Sequence, residues 1–157
     1  MTALAGIRRE QYAKYQPLFW RPAAVAPEKH RRHLGRLVAS DEVITLVSDE
    51  DGELTGFVIA TLKPAPPVYD PGGPSCDIDD FAVTPASRWP TTGVRLLRAA
   101  LAEARQRGAV QAVVVTAHLD EAKREALRAC VPTRARAPWR SRSPARWPCR
   151  RIRRRWS

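Results

Sequence analysis

Residues 76–97 read CDIDDFAVTPASRWPTTGVRLL. Asp77, Asp79 and Asp80 put three carboxylates into a strand-like run, and a partly desolvated carboxylate at a cleft can accept a proton from an ammonium or bind it by charge. Side chains alternate along a strand, so Asp77 and Asp79 are expected on one face and Asp80 on the other. Asp79 and Asp80 are the candidate catalytic residues, as base or as anchor for a cationic acceptor; the competing reading makes them solvated strand-end residues paired with nearby Arg. The residues that follow suit a different chemistry. A strand, a tight loop and a helix start bring unpaired amides and the positive end of a helix dipole to one point, where phosphate is the natural guest. The loop lacks both the Gly-x-x-x-x-Gly-Lys-Ser/Thr pattern and the full Gly-x-Gly-x-x-Gly pattern, and an ordinary capped helix uses the same residue types.

Other reactive side chains are scattered. His30 and His33 stand one helical turn apart, which suits two metal ligands, but no third ligand accompanies them and no metal site is expected. His118 follows an apolar strand and either faces the cleft or caps the next helix. Tyr12, Tyr15, Phe19 and Trp20 form an aromatic stripe of the kind that builds cores. Cys76, Cys130 and Cys149 form no close pair and suggest neither a disulfide framework nor a zinc knuckle.

The elements that must position these groups follow from periodicity and turn residues. An amphipathic helix is expected over Ile7 to Trp20, closed by Pro17 or by Arg21-Pro22, and a second from about Pro27 through Ser40. VITLVS and LTGFVIATL are strand runs joined across Asp51-Gly52, a hairpin turn signal. Pro64 to Ser75 is a Pro- and Gly-rich loop. After the acidic strand come a helix from about Thr92 to Gly108 and the apolar strand AVVVTA at Ala112 to Ala117, expected to be central and covered on both faces. A last helix, Asp120 to Cys130, has Asp at a suitable N-cap position. This order predicts an α/β (α+β) domain with a mixed, mostly antiparallel sheet flanked by helices, and a parallel strand-helix-strand crossover over Cys76 to Ala117.

With 157 residues one domain is expected. No leader and no run of about 18 apolar residues is evident, so a cytoplasmic protein without membrane contact is expected. The net charge of +11 is local. Residues 131–157 contain ten Arg and no Asp, Glu or Lys, and without them residues 1–130 carry only +1. Four Pro and no apolar periodicity make disorder the expectation for residues 131–157, leaving 1–130 as the folded domain.

The string FAVTPASRWPTTGVRLL resembles the acetyl-CoA signature of the GNAT-type N-acetyltransferase superfamily, with Phe81, Val83, Pro85, Arg88, Gly93, Leu96 and Leu97 in register. DGELTGFVIA is similar to the preceding strand pair of that superfamily, and AVVVTAHLDEAKREALRA to the following strand and helix, so the likeness spans roughly Arg8 to Cys130. It implies a sheet splayed between CDIDDFAV and AVVVTA with the pantetheine arm of acetyl-CoA in the opening. The backbone of Phe81, Ala82 and Val83 would bond that arm, and the loop of Arg88, Trp89, Thr91, Thr92 and Gly93 would hold the pyrophosphate. The implied reaction is direct transfer of an acetyl group to a primary amine of a small molecule or peptide. It also implies first helices, carrying Tyr12, Tyr15, Phe19 and Trp20, that line the acceptor pocket.

Three departures stand out. Thr91 replaces the first loop glycine and Pro90 removes an amide donor, which implies weaker or adjusted binding. Many relatives carry a Tyr on the last helix to protonate the departing thiolate, whereas EALRAC has Ala126 and Leu127 there, leaving that role without an occupant. The superfamily's final two strands have no counterpart in pattern after Cys130. The abrupt turn to Arg, Pro, Ser and Trp is what an out-of-frame reading of a GC-rich coding sequence produces, so a frameshifted or divergent terminus is expected from about Val131. Two rival readings are a catalytically impaired remnant and a nucleic-acid binder acting through the Arg-rich tail; a homodimer is left open.

Overall fold

The computed structural model describes residues 1–65 and 67–130 and the backbone of residues 149–151. Their elements run α1 (Thr2–Tyr15), α2 (Ala26–Ala39), β1 (Val43–Glu50), β2 (Glu53–Lys63), β3 (Ser75–Val83), α3 (Val94–Gln106), β4 (Gln111–Val114), α4 (Glu121–Cys130) and β5 (Cys149–Arg151). One sheet in the order β4-β3-β2-β1-β5 collects the strands, with β3 and β4 parallel and the other neighbours antiparallel.

Local chemistry sets most boundaries. The first helix begins and ends about five residues earlier than its periodicity predicts. Pro17 forces the preceding residue out of the helical region, and Gln16 accordingly sits at φ −150° and ψ 88°. Pro27 opens α2, where its missing N–H costs nothing. Asp51 and Gly52, at φ 53° and 86°, make the two-residue hairpin turn between β1 and β2, whose twist matches that of the strands. Asp120 caps α4 as expected, its Oδ1 accepting the Lys123 N–H at 3.4 Å.

Two apolar layers hold the helices to the sheet. Ile78, Phe81, Leu96, Leu97 and Ala126 pack on the face covered by α3 and α4. Leu4, Leu34, Phe57 and Ile59 pack on the face covered by α1 and α2. Each such side chain, fully buried, contributes about 1.5–3 kcal/mol. Gly56 on β2 belongs to this packing: a Cβ there would lie 2.9 Å from Leu96 Cδ1 and 3.2 Å from the Ala82 carbonyl oxygen.

Two expectations need correction. The AVVVTA strand is not central: among the described residues β4 is the sheet edge, pairs only with β3, and leaves Val113 51% and Val115 44% exposed. An unbroken run of β-branched residues marks a strand, but says nothing of its neighbours. A strand also exists where no strand pattern is visible, since Cys149–Arg151 pairs antiparallel with Leu46–Ser48 of β1. The rest of the expected disordered tail lies outside the described residues.

Gly56→Ala should cost about 1–3 kcal/mol by overpacking. Urea unfolding checks this, the midpoint falling with an unchanged slope.

Candidate functional site

Strand β3 organises the site because its pairing changes partway along. Against β2 its register steps from Ala60↔Ile78 to Ile59↔Asp80, so Asp79 is the extra residue of a β-bulge. The bulge resets the alternation of faces. Asp80 turns to the α1/α2 side, while Phe81 falls on the α3/α4 side with Ile78. With Ile78 on the α3/α4 side, Asp77 lies on the same side as Asp80, so the expected placing of Asp80 on the face opposite Asp77 fails; the inserted residue breaks the two-residue period that the expectation assumed.

Against β4 the pairing stops altogether. The parallel register covers Ser75↔Gln111 to Ile78↔Val114, and the Val115 N–H donates to the Ile78 oxygen at 3.0 Å. Among the described residues no strand pairs with Asp79 to Val83 on that side. The two strands part there, leaving an edge with unpaired backbone groups.

The loop after β3 ends at α3 through two tight turns. A 3-10 turn, Ala86–Arg88, uses the Arg88 N–H on the Pro85 oxygen and the Trp89 N–H on the Ala86 oxygen. A π-helical turn, Trp89–Gly93, then runs into α3, the Val94 N–H reaching the Trp89 oxygen. The predicted anion donors are thereby narrowed. The amides of Arg88 and Trp89 are already bonded and Pro90 has none, which narrows the expectation to the first-turn amides of Thr91, Thr92 and Gly93. The side chains of Trp89 and Thr92 are buried, so a loop ligand would meet these residues through their backbone. The Trp89 ring packs edge-on against Phe81, centroids 4.7 Å apart. Gly93 sits against the Trp89 ring so closely that a Cβ would overlap it. Thr91 is exposed, its hydroxyl donating to the Arg88 oxygen at 3.3 Å. Arg88 pairs with Glu50 at the end of β1.

Of the two candidate acids, Asp79 is exposed at the bulge and Asp80 is committed to a network. Arg8 Nη1 donates to Asp80 Oδ1 at 2.5 Å, and His30 Nε2 lies 3.2 Å from Oδ2. Arg9 Nη1 approaches the other ring nitrogen of His30 at 2.7 Å; Arg only donates, so His30 Nδ1 accepts and its Nε2–H serves Asp80. Burial alone would raise the Asp80 carboxyl, but the His30 hydrogen bond and the Arg8 charge outweigh it and hold the group below its ordinary value. His30 is thus tied to Asp80, and among the described residues no cluster of three or more His, Cys, Asp or Glu is placed to hold a metal. The His118 side chain is exposed, and its carbonyl accepts from Arg124.

The residue that sequence reasoning missed is Lys123. It is 0% exposed, its Nζ donates to the Val115 oxygen at 2.9 Å, and it lies 5.6 Å from the Phe81 ring centroid and 6.0 Å from that of Trp89. It therefore stands where β3 and β4 part. Desolvation, then repulsion from Arg8, lowers its pKa to about 7 against the pull of Asp120, Asp80 and Asp79. One signal was present: a Lys in the first turn of a helix opposes the macrodipole and needs a reason. Nearby, Tyr12 is buried and donates to Asp120 Oδ2 at 3.1 Å, joining α1 to the start of α4.

Comparison with known proteins gives consistent results. A model of the Acetyltransferase (GNAT) family matches residues 6–130. No curated protein matches the chain. Similar solved folds include a tetramutant of the BH1408 protein from Bacillus halodurans, with TM-score 0.68, 15% identity and coverage of 92% of this chain and 91% of that one. A probable acetyltransferase is similar with TM-score 0.58, 18% identity and coverage of 91% and 92%. An aminoglycoside N-acetyltransferase, AAC(6')-Iy, solved with CoA, has TM-score 0.56, 14% identity and coverage of 75% and 88%.

Asp80→Asn should destabilise the fold by about 1–3 kcal/mol near neutral pH, because Arg8 and His30 lose a half-buried partner. A carboxyl held low in the folded state contributes stability above its unfolded value of about 4 and loses it as pH falls through the folded one. Denaturant midpoints measured from pH 7 downward should therefore converge for the two proteins below about pH 4.

Proposed function

Because the chain belongs to the GNAT acetyltransferase family and is on that ground an acyltransferase, we propose that its acyl donor is acetyl-CoA and its acceptor a primary amine of a small molecule or peptide. The parting of β3 and β4 beside the Thr91–Gly93 helix start is the observation that carries this reading. An extended pantetheine arm can add to the free edge of Asp80–Val83 by main-chain hydrogen bonds, with the backbone of Phe81, Ala82 and Val83 as its partners. The helix start then lies at the end of that edge, where the amides of Thr91, Thr92 and Gly93 and the dipole of α3 receive the pyrophosphate. Arg88 and Trp89 serve indirectly, one tied to Glu50 and the other packed beneath Gly93.

Transfer in such a site needs no covalent enzyme intermediate. The amine nitrogen attacks the thioester carbonyl, the C–N bond forms, the C–S bond breaks, and the amine gives up a proton. Asp79 at the bulge is the carboxylate placed to take that proton directly or through water. Among the described residues no ion pair engages its carboxylate, whereas Asp80 is kept ionised by Arg8 and His30. Asp80 instead fixes α1 and α2 against β3, and so positions the wall on the acceptor side. Aminoglycoside acetyltransferases among the similar folds, one of them in complex with sisomicin, make a polyamine one acceptor class to try first. Among the described residues no helix is long and apolar enough to cross a membrane, and the cytoplasm is the proposed location.

Calorimetric titration should show one acetyl-CoA bound per chain, with release of CoA thiol in the presence of an amine from a panel that includes aminoglycosides. Gly93→Ala, which drives a Cβ into the Trp89 ring, should weaken binding about tenfold. Absence of acetyl-CoA binding to the wild-type chain would contradict the assignment. Binding without turnover of any amine would mark an impaired enzyme.

A further inference from the structure

The folded part of the chain is nearly neutral, but its charges are segregated. Residues 1–40 hold eight Lys and Arg against two Glu, a net +6, whereas residues 41–130 hold nine against fourteen Asp and Glu, a net −5. The two helices of the first segment cover one face of the sheet, so the imbalance is spatial as well as sequential. Within α2, Lys29, Arg32 and Arg36 follow one another at three and four residues and form one exposed stripe about 10 Å long. Among the described residues only Arg32 of the three has an ion pair, with Glu28 at 3.2 Å on the same exposed helix surface. Such a pair is worth little, so the stripe presents its cations to solvent.

The stripe adjoins the site. His30, next to Lys29, lies 3.2 Å from the Asp80 carboxylate, and the ring of His33, next to Arg32, has its centroid 6.4 Å from that of His30. On the α3/α4 side of β3 the space is filled by Phe81, Trp89 and Lys123, so an acceptor reaches the thioester from the α1/α2 side, past Asp79 and this rim. Between the helices, Trp20 packs edge-on against Tyr12 of α1 and Phe19 against Trp20 in turn, leaving Leu18 90% and Phe19 75% exposed.

We propose that the acceptor amine is carried by an acidic peptide segment, whose carboxylates are held by the Lys29, Arg32 and Arg36 stripe while its amine faces Asp79. This names the acceptor class for the acetyl-CoA reading and rests on it. The stripe is as long as about three residues of extended peptide. Its cations are spread along an outer helix face and do not converge on one point, which suits an extended polyanion and not a compact one. Leu18 and Phe19 give peptide side chains apolar surface to pack on. A field of one sign over the approach speeds the encounter with an anion, slows that with a cation, and fades with salt. Polycations, aminoglycosides included, are therefore the slower acceptors.

The test reads binding and turnover separately in the full chain. Three labelled peptides share one length and one N-terminal amine and differ in a later run of three Glu, three Gln or three Lys. Their binding in the presence of CoA is followed by fluorescence anisotropy at about 20 mM and about 300 mM NaCl, and their acetylation by release of CoA thiol from acetyl-CoA. The Glu peptide should bind at least about tenfold more tightly than the Gln peptide at low salt and lose most of that advantage at high salt. Its higher kcat/KM should come through KM. The triple variant K29Q/R32Q/R36Q should bring the Glu peptide to the level of the Gln peptide while acetyl-CoA affinity stays unchanged, and its melting curve verifies the fold. Equal binding of the peptides, or a Glu preference that survives in the triple variant, overturns the role of the stripe and leaves the acetyl-CoA reading standing. A single-stranded oligothymidylate that binds more tightly than the Glu peptide, and loses that binding in the triple variant, overturns the peptide class. Failure of the wild type to bind acetyl-CoA, read by calorimetry, overturns both readings.

Discussion

Separation of β3 from β4 after Ile78 is the constraint on which the site depends. A parallel ladder of four residue pairs joins the strands, and beyond it their backbones have no mutual partners. Unpaired strand groups near a protein interior must find water, a side chain or a ligand. One of them, the Val115 carbonyl, is met by Lys123; those on the β3 side have no partner strand among the described residues. The bulge at Asp79 reinforces the same geometry, because an extra residue bends a strand and increases its twist just where the partner is lost.

Charge is distributed around this parting with a clear division of labour. On the α1/α2 side, Arg8, His30 and Asp80 form a compact, mutually satisfied group that ties two helices to one strand. On the α3/α4 side, the Lys123 ammonium is held by a carbonyl and two aromatic faces. The first arrangement lowers a carboxyl and stabilises the fold; the second lowers an ammonium and costs stability. A buried charge that costs stability is a candidate for function. Phe81 and Trp89 join Lys123 to the helix start at Gly93, since their edge-on pair touches both.

The elements were largely legible in the sequence because they depend on local signals. Asp51-Gly52 read as a hairpin turn and is one; Asp120 read as an N-cap and is one; the strand and helix around residues 76–106 stand within a few residues of their expected places. What escaped depends on non-local pairing. A bulge cannot be seen without the partner strand, so the face of Asp80 relative to Asp77 was misassigned. The edge position of β4 depends on which strands flank it, which Val-Val-Val does not encode. Lys123 is marked in the sequence only by its place in the first turn of α4, and its burial against Phe81 and Trp89 follows from the fold.

The central claim is that the free edge of β3 receives an extended ligand. Amide hydrogen exchange along β3, with and without acetyl-CoA, tests it most directly. The account predicts that amides within Asp79 to Val83 not engaged by β2, together with those of Thr91 to Gly93, slow markedly on addition of acetyl-CoA, while those of Ser75 to Ile78, already paired on both sides, stay unchanged. Unaltered exchange at Asp79 to Val83 under saturating acetyl-CoA, or protection appearing elsewhere in the chain instead, would contradict it.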